Sequence, residues 1–229
     1  PPSNLVFKKT LINLKAFFLL INLDPNEMID CIVKEMDIRK SEFSKKIDSV
    51  YIGGGTPSVM TNLELETIFN GLEKKISISD IKEITIEINP EDLINEKLEF
   101  YNEIGINRLS IGIQSMNNNI LKWMNRSHNK DQIINGLNNV KEIGYENISL
   151  DFIYGTPRNL TRDYKDELLE ILKFNPTHLS CYHLTIEDGT YFGHLEKKRK
   201  IKRIEDDVSQ KEFQWISEKL RSKNYQHYE

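Results

Sequence analysis

The 229-residue chain has only two cysteines, Cys31 and Cys181. They are too few for a disulfide framework and too far apart in sequence for a close-spaced metal-ligand pattern. The chain also has no excess of positive charge, because 31 Lys and Arg oppose 35 Asp and Glu for a net charge of -4. Proteins that bind the phosphate backbone of nucleic acids are normally basic, so the composition argues against a nucleic-acid partner.

Long hydrophobic runs are scarce as well. The most apolar early stretch, residues 16–23, is far shorter than the ~20 residues of a membrane-spanning helix. The polar sequence DPNE follows it directly at 24–27, where a signal peptide would have small residues for cleavage. We therefore expect no membrane span and a cytoplasmic location. At 38% hydrophobic residues, the composition is that of a globular protein that can build a sizeable core.

The chain alternates short β-branched runs with longer segments of helical period, which is typical of parallel strands joined by crossover helices. The predicted strands are 49–52, 83–88, 108–113, 147–153 and 177–186, and 17–23 is a candidate sixth strand. The predicted helices are 26–39, 62–75, 91–104, 117–124, 130–143 and 161–174. This pattern fits a full barrel, an open doubly wound sheet or a partial barrel. Ligands bind beyond the carboxyl ends of the strands in each of these folds.

The composition changes near both ends of this alternating region. After Gly193 comes the charged run LEKKRK at 195–200, which we interpret as a solvated connector, and 208–220 is a predicted amphipathic helix. The predicted organisation is a diverged segment at 1–28, an α/β region at 29–193, and a linker and helix at 194–229.

Polar residues follow the predicted strands at the ends where ligands bind. They are Gly53 to Gly55 with Thr56, then Glu87, Gln114 and Asp151. Glycines let backbone groups approach a ligand, and an unpaired carboxylate inside an apolar strand is costly. These positions predict a site for a small polar ligand with an amino group or hydroxyls. The alternatives are that the glycines form an ordinary tight turn, and that each carboxylate faces a polar side of its strand.

Several motifs together resemble the radical S-adenosylmethionine (SAM) enzymes related to oxygen-independent coproporphyrinogen III oxidase. The segments that carry this resemblance are YIGGGTPS at 51–58, EITIEINP at 83–90, GINRLSIGIQS at 105–115, MNRSH at 124–128 and DFIYGTP at 151–157. Within the superfamily, HLSCYHLTIEDGT at 178–190 is most similar to the heme-chaperone branch, HemW. The resemblance runs from about Ile29 to the end of the chain, and it implies a partial (β/α)6 TIM-like barrel.

The resemblance also implies SAM as a cofactor, bound across the open end of the barrel. The residues that would hold it are Gly54, Gly55 and Thr56 at the methionine part, Glu87 and Gln114 at the ribose hydroxyls, Arg126 at the methionine carboxylate, and Asp151 and Thr185 at further polar groups. These residue types can bind such groups, because Arg donates two parallel hydrogen bonds to a carboxylate and carboxylates accept hydrogen bonds from hydroxyls. Heme or a heme-accepting protein is the further partner that the resemblance implies.

One defining feature of the family is absent from this sequence. Family members carry a CxxxCxxC loop whose three thiolates hold a [4Fe-4S] cluster, and its positions fall near Asn4, Lys8 and Leu11, where no cysteine stands. We therefore expect no catalytic or metal-binding residues for radical chemistry. The family also continues past Glu229 with a C-terminal domain. The functional hypotheses are a HemW-like or coproporphyrinogen oxidase-like protein of porphyrin metabolism, a non-catalytic SAM- or heme-binding module, and a degraded remnant.

Overall fold

A computed structural model describes residues 11–15, 25–44, 46–157 and 159–228. Its strands form one six-stranded sheet in chain order. They are β1 (Leu11–Lys15), β2 (Ser49–Gly53), β3 (Glu83–Ile88), β4 (Arg108–Gln114), β5 (Ile148–Tyr154) and β6 (His178–His183). Strands β1 to β4 pair in parallel with their neighbours, and β5 pairs in parallel with β6. Parallel neighbours require crossover connections, and helices supply most of them here.

Seven of the eight α-helices among the described residues follow the predicted order, and the helix at Tyr191–Lys197 was not predicted. The eight helices are α1 (Pro25–Ile38), α2 (Asn62–Glu73), α3 (Asn95–Glu103), α4 (Asn118–Trp123), α5 (Lys130–Ile143), α6 (Tyr164–Ile171), α7 (Tyr191–Lys197) and α8 (Asp206–Arg221). Helix α3 begins four residues later than predicted, because Pro90–Asp92 forms a 3-10 turn first. The charged run at 195–200 is also not wholly a connector, since α7 extends into it as far as Lys197.

The candidate sixth strand at 17–23 lies outside the described residues. The strand that pairs with β2 is instead Leu11–Lys15, with Leu11 opposite Ser49 and Lys15 opposite Gly53. The sequence analysis did not predict this strand. The chain divides into two compact units. The segment boundaries predicted at residues 28 and 193 stay predictions.

Unit 1 comprises residues 1–111 and 135–148. Its β3 carries an apolar row, Ile84, Ile86 and Ile88, that is at most 2% exposed. Helix α2 begins at a capping box in which Thr61 accepts a hydrogen bond from the Glu64 backbone N–H, and the Glu64 side chain accepts one from the Thr61 backbone N–H. These two bonds satisfy donors that a helix start leaves open. Thr61 is thus the N-cap of α2.

Unit 2 comprises residues 112–134 and 149–229. It contains β6, all of β5 except Ile148, and the helices α4, α6, α7 and α8. Aromatic pairs join its helices: the rings of Trp123 and Phe192 stack with centroids 4.4 Å apart, and those of Tyr164 and Trp215 meet edge to face. Such pairs stabilise a core beyond the area that they bury. None of the helices in the described residues is long and apolar enough to span a membrane.

Candidate functional site

The glycine loop after β2 is the centre of the candidate site in unit 1. Gly54 and Gly55 have φ angles of 92° and 65°, a region that glycine enters without steric cost. A Cβ atom on Gly53 would lie 2.4 Å from the Tyr51 ring and 2.7 Å from a carboxylate oxygen of Glu87. A residue with a side chain at position 53 would therefore force Tyr51 or Glu87 to move. Within the loop, Gly53 is buried, Gly54 is half-buried and Gly55 is exposed.

Glu87 on β3 holds this loop. Its Oε1 accepts a hydrogen bond from the Tyr51 hydroxyl and its Oε2 accepts one from the Gly54 backbone N–H, both at 2.8 Å. Each carboxylate oxygen has a second lone pair, so the half-buried group retains capacity to accept from a ligand hydroxyl. The carboxylate thus has two partners inside the protein, Tyr51 of β2 and Gly54 of the glycine loop.

A second set of contacts anchors the residues after Thr56. The chain there enters a 3-10 turn at Pro57–Val59, and the buried Ser58 hydroxyl donates to Asp92 Oδ2 at 2.7 Å. Lys97 Nζ donates to both Asp92 Oδ1 and the Ser58 carbonyl, each at 2.6 Å. The sequence analysis missed Ser58, Asp92 and Lys97. Their separation along the chain left no local signal that they meet.

The other four predicted site residues lie in unit 2. Gln114 is the buried last residue of β4, with a left-handed φ of 60°. Asp151 is half-buried in the middle of β5, three residues before its end, whereas the sequence analysis placed it at the carboxyl end. Arg126 is exposed in the turn after α4, and Thr185 is exposed after β6. The predicted convergence of all eight residues on one ligand stays a prediction.

The ends of β5 and β6 make further contacts in unit 2. The Gly155 N–H donates to Glu212 of α8 at 3.0 Å, and the ring of His183 meets that of Tyr154 edge to face. Burial raises the pKa of the Cys181 thiol to about 12, and the negative charge of Asp151 adds to the effect.

The residues present do not fit the family's three-cysteine cluster. Cys31 is exposed on α1 in unit 1, and Cys181 is on β6 in unit 2. No third cysteine exists in the sequence. No group of three His, Cys, Asp or Glu side chains could hold a metal ion within the described parts of the chain. His128 is buried, with Nε2 lying 3.3 Å from the Ile113 carbonyl oxygen, which is the environment of a structural histidine.

Comparison with known proteins decides the family. The radical SAM superfamily profile matches residues 25–174, which include β2 to β5 and the glycine loop. The chain belongs to the radical SAM superfamily. The glycine loop, Glu87, Gln114, Arg126 and Asp151 all lie within the matched residues, whereas Thr185 lies beyond them.

The similar relatives of this radical SAM chain include several heme chaperones. It is 31% identical to the heme chaperone HemW of Lactococcus lactis over 185 residues, which is 81% of the chain and 49% of the relative. It is 37% identical to HemW of Buchnera aphidicola from Schizaphis graminum over 180 residues, which is 77% of the chain and 48% of the relative. The chain thus spans about half the length of the curated relatives that it matches.

Solved structures confirm the fold class. Coproporphyrinogen III oxidase (HemN) from Escherichia coli matches with a TM-score of 0.75 at 24% identity, over 88% of this chain and 46% of that chain. An archaeal Elp3 of Methanocaldococcus infernus matches with a TM-score of 0.58 at 20% identity, over 80% of this chain and 47% of that chain. The predicted α/β fold of the radical SAM type, a partial barrel, is confirmed.

Proposed function

We propose that this radical SAM chain is a HemW-like protein of heme metabolism whose barrel binds SAM. The observation that carries the proposal is the glycine loop, which Glu87 holds through the Gly54 N–H and in which Gly55 is exposed. The loop lies within the residues that match the superfamily, and the heme chaperones are similar across this same region. Because the chain spans about half of those relatives, heme binding and delivery to a heme-accepting protein are likewise proposals.

The residues of the chain are suited to binding a molecule with the groups of SAM. Backbone groups of Gly54, Gly55 and Thr56 would contact its amino-acid part, and Glu87 would accept from a ribose hydroxyl with its remaining lone pairs. The Arg126 guanidinium can donate two parallel hydrogen bonds to a carboxylate. Gln114, Asp151 and Thr185 would add polar contacts.

We further infer that this chain binds SAM without cleaving it. SAM is a source of radicals when it is bound together with an iron–sulfur cluster. Here the sequence offers two cysteines, which lie in different units, whereas the cluster of the family takes three. A non-catalytic SAM- or heme-binding module is the form of the proposal that this cysteine content favours.

Calorimetry with SAM tests the binding proposal. We expect the native chain to bind, and Glu87→Ala and Arg126→Ala to weaken binding by about tenfold or more, because each removes hydrogen bonds to a charged group. Glu99→Ala is the matched control, because Glu99 is an exposed glutamate on α3, and its affinity should equal that of the native chain. Absence of measurable heat in the native chain would favour a degraded remnant over a binding module.

Anaerobic reconstitution with iron and sulfide tests the inference about radical chemistry. We expect no stoichiometric iron–sulfur absorbance from the chain. A stoichiometric cluster would contradict the inference from its two cysteines. Titration with hemin, followed by the heme absorbance, tests the heme proposal independently of SAM.

A further inference from the structure

A strained turn ends β4 at Gln114. Its φ of 60° lies in the left-handed region that residues other than glycine seldom occupy. The Ser115 backbone N–H donates to the Ile113 carbonyl oxygen at 2.7 Å, so that Gln114 is the central residue of a three-residue turn. Turns of this kind with a positive φ are rare, and such residues persist where their surroundings hold them. The surroundings of Gln114 therefore decide whether its side chain keeps this position.

Glu167 on α6 holds the two residues that follow Gln114. Its Oε2 accepts a hydrogen bond from the Ser115 hydroxyl at 2.5 Å and another from the Met116 backbone N–H at 2.8 Å. Ser115 is 0% exposed and Glu167 is 6% exposed, so both bonds lie away from solvent. A single buried carboxylate thus fixes the chain on the carboxyl side of the strained residue.

Arg162 fixes that carboxylate in turn. Its Nε donates to Glu167 Oε1 at 2.8 Å and its Nη2 donates to Glu167 Oε2 at 3.1 Å. The guanidinium also lies over the ring of Phe152, 5.0 Å from its centroid, and Phe152 is the neighbour of Asp151 on β5. Counting side-chain atoms alone, Arg162 is 4% exposed and Glu167 is 8% exposed. Burying such a pair is costly and contributes little net stability, so its position calls for another explanation.

We propose that Glu167 is a positioning residue of the SAM site, which acts by holding the turn at Ser115 and Met116 so that Gln114 faces the ligand. This inference rests on the proposed function, because it assigns Glu167 a role in the same site. Glu167 itself need not touch SAM. Through these hydrogen bonds, Glu167 of α6 fixes the residues that follow β4. Its partner Arg162 lies over Phe152 of β5.

Calorimetry with SAM on the full chain tests the proposal with a matched pair of variants. Glu167→Gln keeps the size of the side chain but removes its charge, and we expect it to weaken SAM binding by about tenfold. Glu170→Gln is the control, since Glu170 is on the same helix and accepts from Lys130 at 2.8 Å in a 27%-exposed position. It should bind SAM within about twofold of the native chain, which is the usual scale for an exposed ion pair.

A double-mutant cycle separates positioning from a general loss of structure. In a Gln114→Ala background the side chain that Glu167 positions is already gone, so adding Glu167→Gln should weaken SAM binding by less than about twofold. A merely structural role would weaken SAM binding by the same factor in both backgrounds, and that result would overturn the proposal. If Glu167→Gln fails to fold, Ser115→Ala replaces it. That change removes the hydrogen bond to Glu167 and the one that the Ser115 hydroxyl accepts from the Asn117 N–H, and it keeps the Arg162 ion pair.

The outcomes distinguish this proposal from the function on which it rests. If the native chain does not bind SAM, the proposed function fails and the positioning role fails with it. If the native chain binds and Glu167→Gln binds equally well, the positioning role alone is overturned. Weaker binding by Glu167→Gln, native-like binding by Glu170→Gln and loss of the effect in the Gln114→Ala background would support it.

Discussion

The carboxylate of Glu87 accepts a hydrogen bond from the backbone N–H of Gly54. A side chain near the end of β3 thereby fixes the loop that follows the neighbouring strand β2. The same carboxylate accepts from the Tyr51 hydroxyl, so one charged group organises the strand end and the loop together. Because a bond to an ionised acceptor is stronger than a neutral one, the loop geometry is established before a ligand arrives.

Glu87→Gln is expected to destabilise unit 1. The replacement amide can accept from the Gly54 N–H and donate to the Tyr51 hydroxyl, but both hydrogen bonds then lose their charged partner and become weaker. We expect a loss of about 2 kcal/mol in the free energy of unfolding, against about 1 kcal/mol for Tyr51→Phe, which removes a single bond. Urea denaturation followed by circular dichroism measures both. Equal stability of Glu87→Gln and the native chain would contradict the role assigned to the carboxylate.

Two tyrosines in unit 1 are expected to respond oppositely to loss of the hydroxyl. Tyr101 is 0% exposed, and its hydroxyl has no hydrogen-bond partner among the described residues, whereas the Tyr145 hydroxyl donates to the Leu98 carbonyl at 3.2 Å. Tyr101→Phe should therefore leave stability unchanged or raise it by about 1 kcal/mol, and Tyr145→Phe should lower it by about 1 kcal/mol. Thermal melts of the two variants measure the difference. A larger loss in Tyr101→Phe would indicate a partner for its hydroxyl.

Alanine substitutions at Gly155 and Gly189 distinguish two causes of destabilisation, a steric clash and backbone strain. Both have positive φ angles, 76° and 81°. A Cβ on Gly155 would lie 2.5 Å from the His183 imidazole, while a Cβ on Gly189 would meet nothing within 4 Å. We expect Gly189→Ala to cost about 1 kcal/mol and Gly155→Ala to cost roughly 2 kcal/mol or more. Denaturant midpoints give the comparison, and equal losses would show that His183 moves aside freely.

The Cys181 thiol is expected to resist alkylation. Its pKa is raised from 9.0 to about 12, chiefly by burial and also by the charge of Asp151. Iodoacetamide reacts with the thiolate, so at pH 8 the exposed Cys31 should be labelled well before Cys181. Mass spectrometry of tryptic peptides gives the two rates. Rapid labelling of Cys181 in the folded chain would contradict the raised pKa.

The same shift predicts a loss of stability at alkaline pH. Below pH 9 the thiol is protonated in both the folded and the unfolded chain, so its ionisation does not affect stability. Between pH 9 and about 12 the unfolded chain releases the proton and the folded chain retains it, which favours unfolding. Cys181→Ala should lessen this decline, and urea denaturation across the range measures it. An unchanged pH dependence would assign the decline to other groups.

Local patterns predicted most of the fold. The helix over Lys130–Ile143 has the predicted bounds because its apolar residues recur at helical spacing, and α2 begins at Asn62 as predicted. Helix α7 was not predicted, because the charged residues at 195–200 indicated a connector. The helix begins after the N-cap Thr190, whose hydroxyl accepts from the Gly193 N–H at 3.1 Å. A short helix that depends on such a cap has a weak periodic signal.

The candidate site was only partly predictable. The glycines could be identified because three of them follow a predicted strand, and Glu87 could be identified because it is a charged residue within an apolar strand. Glu167 gave no such signal, since it lies among other acidic residues of α6 and its partner Ser115 is 52 positions away. Contacts of that kind are set by packing between elements, and no periodicity within a single element encodes them.

The division of the chain into units has a consequence for how the protein is made. All residues of unit 1 precede position 149, while unit 2 includes the segment that runs from 149 onward. A polypeptide emerges from the ribosome in order, at about 5–20 residues per second. The glycine loop and its carboxylate clamp can thus assemble while α6, which anchors the β4 turn, is still being synthesised.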